Sequence, residues 1–238
     1  HPDKWQQPFI VDDPKGKQYV GMLKTISNNP ADIIPTADII LFCLPAFLVE
    51  QTLETIKPYL SSKTIVGSVV GNTGFFIFAH KVLADQPIGL FAFQRVPYIS
   101  RVVEYGKKAS LLGYKDKLLI ATEHISNPQE FCNDISMLFC TPTILLQSFY
   151  EVTLSNSNPI LHTGRLYSMW KDWNGEHYKN NSLFYTSWTD EASDLLIKMD
   201  EEFFCLLDKL GVSTEHLPTL LQHYEVHDVK SLKKKIKN

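Results

Sequence analysis

His162 and Arg165 stand three residues apart in the run Asn158-Pro159-Ile160-Leu161-His162-Thr163-Gly164-Arg165-Leu166-Tyr167. Asparagine is a favoured helix cap and proline a favoured first-turn residue, so the run reads as a helix capped by Asn158. Spacing of i and i+3 then puts the imidazole and the guanidinium on one helical face. An imidazole of ordinary pKa, about 6.5, takes or gives a proton at neutral pH. A guanidinium holds a carboxylate bidentately, and its charge beside His162 favours the neutral ring, a base. Ile160, Leu161 and Leu166 flank the pair and can exclude water. The same residues also fit a capped structural helix with a polar face, and both readings stay open on spacing alone.

Three turns earlier in the chain belong with this pair. Cys43-Leu44-Pro45-Ala46 follows an apolar strand, and such a proline-bent turn of small residues lets a flat ring and a ribose approach the backbone. Gly71-Asn72-Thr73-Gly74 combines glycines, which allow close approach, with Asn72, whose donor and acceptor suit a carboxamide. Gln94-Arg95-Val96-Pro97-Tyr98 places Arg95 at a strand end in apolar surroundings, where it can grip a carboxylate. Ordinary strand-to-helix turns and a surface arginine account for the same residues, and the sequence does not separate the two readings.

The surrounding pattern supplies the elements that must carry these residues. Phe9 to Val11 and Gln18 to Ile26 read as short strands around a polar turn. Ile39 to Leu44 is a continuous apolar run, as expected for a strand buried on both faces of a parallel sheet. Phe47 to Tyr59 has helical spacing, Thr64 to Val70 reads as a strand, Phe75 to Leu83 as a helix and Ile88 to Phe93 as a strand. That alternation predicts right-handed crossovers and parallel pairing. Residues 101–105, 109–114 and 117–121 are close enough for antiparallel hairpins. A helix capped by Asn127 and a strand over 143–147 complete an α/β part, residues 1–150. The remainder, 151–238, reads as all-α. It has a long helix after Thr189 with an apolar stripe from Ala192 to Leu210, a helix over 215–223, and another capped by Asp228.

Composition narrows the function classes. The 238 residues carry a formal net charge of -3, and the one basic run, Lys233 to Lys237, suits a solvated helix end rather than nucleic acid. No apolar run approaches the roughly 20 residues of a membrane span. Four cysteines without CxxC spacing read as buried free thiols of a cytoplasmic protein. Eight histidines without HExxH or a Cys/His cluster give no metal site.

The segment 37–46, the turn Gly71 to Phe75, Gln94 to Tyr98 and above all Asn158 to Arg165 resemble the octopine/nopaline (opine) dehydrogenase family. The resemblance implies an incomplete Rossmann-type, mostly parallel sheet with added antiparallel strands, followed by an all-α catalytic domain. It implies NAD(P)H-dependent reductive condensation of an α-keto acid with an amino acid, in a cytoplasmic protein, with a homodimer as the assembly to test. The family's catalytic histidine carries over to His162. Gln94, Arg95, Asn158 and Arg165 would hold substrate, and Leu44, Pro45, Ala46 and Asn72 would lie along NAD or NADP. The family's GxGxxG turn, which cradles the pyrophosphate, has no counterpart in this sequence. His1 to Trp5 resembles the stretch after the family's second strand, which implies either a longer parent protein or lost cofactor binding. The family's histidine is assisted by a late aspartate, for which Asp190, Asp194 and Asp228 are the choices. Ketopantoate-reductase-like and glycerol-3-phosphate-dehydrogenase-like enzymes share the two-domain plan but use a helical-domain lysine, here Lys171. A non-catalytic binding or regulatory protein is the remaining alternative.

Overall fold

The computed structural model describes residues 4, 5 and 7–237, so His1 to Asp3 of the opening stretch lie outside the described residues. The chain divides into two compact units, His1–Leu154 and Ser155–Asn238.

The first unit holds two sheets. Its central sheet contains β3 (Ile39–Phe42), β4 (Ile65–Val69), β5 (Gly89–Phe93), β8 (Leu118–Glu123) and β9 (Thr143–Leu145), in the order β3-β4-β5-β8-β9. β3, β4 and β5 run parallel, as the strand–helix alternation predicts. α1 (Ala46–Ile56) and α2 (Phe75–Leu83) are the crossovers. Their stripe of Val49, Leu53, Ile56, Phe75, Phe76 and Ala79 is buried in one cluster with Val66, Leu90 and Ala92. Phe91 and Phe93 alternate to the opposite face of β5 and pack with Phe131, Cys132 and Ile135 of α3 (Pro128–Phe139).

The second sheet has the order β2-β1-β7-β6, from β1 (Phe9–Asp12), β2 (Gln18–Gly21), β6 (Tyr98–Glu104) and β7 (Lys108–Tyr114). β6 and β7 form the expected antiparallel hairpin. The third strand of that group does not join them: β8 pairs antiparallel with β5. Leu118, Ile120 and Ala121 are at most 2% exposed in β8. The second sheet, whose outer strands β2 and β6 are largely solvent-facing, offers no such cover.

Several expectations are corrected. β3 is not buried on both faces: Ile39 is 38% and Leu41 36% exposed. β3 lies at the end of the sheet, and the cluster under α3 draws on β5, β8, β9 and, through Ile65 and Val69, β4, but on no residue of β3. Of the free cysteines only Cys132 is buried, while Cys43, Cys140 and Cys205 are exposed.

The second unit contains α5 (Asn158–Trp170), α6 (Asp190–Lys209), α7 (Leu220–His223) and α8 (Val229–Lys237), after α4 (Tyr150–Thr153) has closed the first. Leu161, Trp188, Ala192, Leu196, Leu220, Leu232 and Ile236 form its core. Thr189 caps α6 by accepting from Ala192 N, and Asp228 caps α8 by accepting from Ser231 N, both as expected. The α6 stripe is core only in part, since Leu206 and Leu210 are 48% and 44% exposed. The helix expected over 215–223 shrinks to the single turn of α7, started by a Thr219–Gln222 capping box. α5 lies close against α6 at Gly164, where a Cβ would come within 3.0 Å of Leu196 Cδ1. No helix among the described residues is long and apolar enough to cross a membrane.

Candidate active site

Parallel pairing brings three of the sequence-derived turns to one sheet edge. The register aligns Phe42 with Ser68 and Ser68 with Ala92, so β3, β4 and β5 end together and their following turns emerge on the same side. Leu44, Pro45 and Ala46 follow β3, Asn72 follows β4, and Gln94 and Arg95 follow β5. This is the edge where open α/β sheets bind ligands.

Each turn has a local cause. Pro45 ends β3 and starts α1, and its side chain offers the first-turn amides no acceptor. Pro45 and Ala46 are exposed. Gly71 opens the short helical turn that carries Asn72. A Cβ there would meet Val152 Cγ1 at 2.3 Å and Ala92 Cβ at 2.8 Å, so only glycine lets the chain pass between them. Exposed backbone at 45–46 and the half-buried carboxamide of Asn72 fit a ribose and a flat amide ring. A glycine turn for the pyrophosphate is not among these residues.

Arg95 is half-buried just beyond β5, and desolvation pulls its pKa below the ordinary guanidinium value. Gln94 beside it is 5% exposed and turned into the protein, its Nε2 donating to the Glu151 carbonyl at 3.0 Å. Gln94, expected at the substrate, is thus tied to α4 through Glu151. Glu151, 1% exposed, is the counterpart that sequence reasoning missed. Its Oε1 accepts from Gln147 N at 2.9 Å and Ser148 N at 3.1 Å. The signal was legible: Ser148-Phe149-Tyr150-Glu151 has capping-box spacing, and the Glu–Ser half of that box forms.

In the second unit, α5 carries the His–Arg pair. The helix begins at Asn158 itself, so Asn158 is not its cap. Ser157 precedes it without a side-chain cap bond, and Asn156 Oδ1 accepts from Asn158 N at 3.1 Å. His162 is exposed, and its ring packs on Phe184 with centroids 5.1 Å apart. Arg165 points inward and is 2% exposed. Its Nε donates to Phe184 O and its Nη2 to Ser187 O, each at 2.9 Å, and its guanidinium lies 5.4 Å from the Trp188 ring centroid. Burial lowers its pKa. Where a carboxylate grip was expected, Nε and Nη2 of Arg165 donate to backbone carbonyls and Nη1 to Ser168 Oγ at 3.4 Å. Arg165 ties the segment between α5 and α6 to α5 and so holds Phe184 beneath His162. Of the aspartates considered as partners, Asp190 pairs with Lys233 at 2.9 Å and Asp228 caps α8.

Residues 145–238 match the family model for the NAD/NADP octopine/nopaline dehydrogenase alpha-helical domain. The resemblance to the opine dehydrogenases is borne out. The chain is 27% identical over 187 residues to the opine dehydrogenase of Haliotis discus hannai, covering 76% of this chain and 46% of that one. It is 25% identical over 185 residues to the octopine dehydrogenase of Mizuhopecten yessoensis, covering 75% and 46%. A solved octopine dehydrogenase in complex with NADH and agmatine superposes with a TM-score of 0.80 at 20% identity, covering 99% of this chain and 64% of that one. The fold is therefore that of the Rossmann-like opine dehydrogenases with a helical domain. The chain spans about half the length of the curated relatives it matches.

Proposed function

We propose that this chain belongs to an NAD(P)H-dependent oxidoreductase that condenses an α-keto acid with an amino acid and reduces the product to a secondary amine. The observation that carries this reading is His162: it lies in the segment matched to the opine dehydrogenase helical domain and stands exposed on a helix fixed from beneath.

The chemistry divides between cofactor and chain. A bound nicotinamide supplies the hydride. Condensation of the amine with the keto group releases water and leaves a C=N bond, and reduction adds the hydride to carbon and a proton to nitrogen. His162 gives that proton in reduction and takes it back in oxidation. Arg95 offers a partly desolvated guanidinium to a substrate carboxylate, where water competes less. Leu44, Pro45, Ala46 and Asn72 would lie along the cofactor. Asn158 is retained as a substrate contact at the start of α5. Lys171, the residue a ketopantoate-reductase-like reading would use, is instead ion-paired with Glu191.

The test is oxidation of NADH and of NADPH by the encoded protein with pyruvate and a panel of amino acids, for the native chain and for His162→Ala. Amino-acid-dependent turnover that falls ~10²–10⁴-fold in the variant is expected. An unchanged rate would remove His162 from the mechanism, and no turnover with any amino acid would remove the reaction.

A further inference from the structure

The second sheet and the end of α3 flank a cleft of about 400 Å³. Clefts that hold small ligands measure about 300–1,000 Å³. Its walls include Tyr19 of β2, Tyr98 of β6, Leu111 and Tyr114 of β7, and Leu138 and Phe139 of α3. We propose that this cleft binds a small aromatic anion, its rings among the tyrosines and its charge at Lys17.

The apolar wall follows from strand pairing. Val11 stands opposite Tyr19 and Ala109, Ser100 opposite Leu111, and Tyr98 opposite Tyr114. Directly opposed residues share a sheet face. Leu111 and Tyr114 are three apart, so strict alternation would turn them to opposite faces. The register shift between Ile99 and Ser100 absorbs one residue of β7 and brings both into the cleft. Tyr98 and Tyr114 then meet edge to face, with centroids 5.8 Å apart and rings at 85°, and Tyr98 lies 6.0 Å from Phe139. Tyr19 and Tyr114 are 42% and 40% exposed, so ring surface stays open to a ligand. A further ring in this corner gains the edge-to-face or offset contacts that aromatic pairs prefer.

The hydroxyls of the wall are engaged within the protein. Tyr98 Oη donates to Phe139 O at 3.1 Å, Tyr114 Oη to Asp13 Oδ2 at 3.1 Å, and Thr141 Oγ1 to Phe139 O at 3.0 Å. Desolvation, then hydrogen bonds with Tyr19 and Asp13, hold the Tyr114 pKa above the ordinary phenol value, so this part of the wall stays uncharged.

Positive charge stands at the rim. Lys17 Nζ lies 4.4 Å from the Tyr19 ring centroid. The Tyr114–Asp13 bond holds the β1–β2 turn, which carries Lys15 and Lys17, beside the β7–β8 turn, which carries Lys115 and Lys117. Among the described residues, none of these four lysines forms an ion pair. The acids of the two turns are Asp13 and Asp116. Both oxygens of Asp13 are engaged, Oδ1 by Lys15 N and Lys17 N at 2.8 Å each and Oδ2 by Tyr114. Cations therefore outnumber acids at the rim, which favours an anion.

The cleft lies beside α3, on the face of the central sheet opposite to α1 and α2. The turns proposed for the cofactor lead into α1 and α2 instead.

The experiment is a titration of the encoded protein with naphthoate, followed by two-dimensional NMR, with the uncharged naphthamide as the control. Saturable shifts at Tyr19, Leu111 and Leu138 are expected, with naphthamide binding roughly fivefold or more weakly. Lys17→Met should weaken naphthoate roughly fivefold and leave naphthamide unchanged. Leu138→Glu, which adds a like charge at an exposed position of the wall, should weaken naphthoate more than naphthamide. Circular dichroism should be unchanged in both variants. Equal binding of the amide, no saturable response, shifts confined to other residues, or variants that bind naphthoate as the native chain does would overturn the proposal. Displacement of naphthoate by NADH or pyruvate would also overturn it, by assigning the cleft to the reaction site.

Discussion

Phe184 receives His162 on its ring and Arg165 on its carbonyl: the imidazole centroid lies 5.1 Å from the phenyl centroid, and Arg165 Nε donates to Phe184 O at 2.9 Å. Two residues one helical turn apart thus meet the same partner in different ways. The exposed one is oriented by it, and the buried one fixes it.

Arg165 should therefore behave as a structural residue. Arg165→Met removes the buried guanidinium that donates to the carbonyls of half-buried Phe184 and exposed Ser187. A loss of about 2–4 kcal/mol is expected in chemical denaturation. A direct carboxylate grip would instead raise the KM for the keto acid and leave the unfolding midpoint unmoved.

Phe184 should act on turnover through His162. Phe184→Leu keeps an apolar filler but removes the flat surface under the imidazole. A fall in kcat of several-fold, with KM nearly unchanged, is expected from the loss of orientation alone. The thermal midpoint should move little, because Phe184 is only half-buried and leucine refills most of the volume. A kcat equal to that of the native protein would show that the ring contact does not position His162.

Gly71 gives a test of the sheet edge. Gly71→Ala drives a methyl into Val152 Cγ1 and Ala92 Cβ, at 2.3 and 2.8 Å. Overpacking of this kind costs about 1–3 kcal/mol. The second substitution Val152→Ala should recover part of that loss, because it removes the nearer obstacle. A double variant no more stable than Gly71→Ala would place the strain elsewhere.

The parts of this fold that were legible in sequence share a cause. α1, α2 and the strands β4 and β5 carry long, regular apolar patterns, and α2 runs from Phe75 to Leu83 as the periodicity predicts. The strand-end turns follow from parallel pairing, so their gathering at one edge was legible too. What was not legible depended on the neighbour across space. Spacing put Arg165 on the face of His162, but the inward partners Phe184, Ser187 and Trp188 come from a segment about 20 residues on with no regular pattern. β3 reads as a doubly buried strand because its residues are apolar, and nothing in them says that one face is uncovered. Glu151 was legible in principle, through a capping-box spacing that an apolar stretch concealed.

Asp200 tests the electrostatics of the helical unit by pH. It sits on α6, its Oδ2 accepts from Leu220 N at 2.9 Å, and desolvation raises its pKa despite that bond. A carboxyl whose folded pKa lies above its unfolded value favours the folded state when protonated. Its penalty is therefore absent below the unfolded pKa, about 3.9, and grows as pH rises through the folded pKa. The residue is half-buried on an accessible helix, so solvent screening holds the effect to about 1 kcal/mol. Asp200→Asn keeps an oxygen to accept from Leu220 N but carries no charge. The stability of the native protein relative to this variant should fall as pH is raised from 4 to 7, read by urea denaturation at each pH. A difference that is flat over that range, or that rises with pH, would show that the hydrogen bond from Leu220 outweighs the burial of the carboxylate.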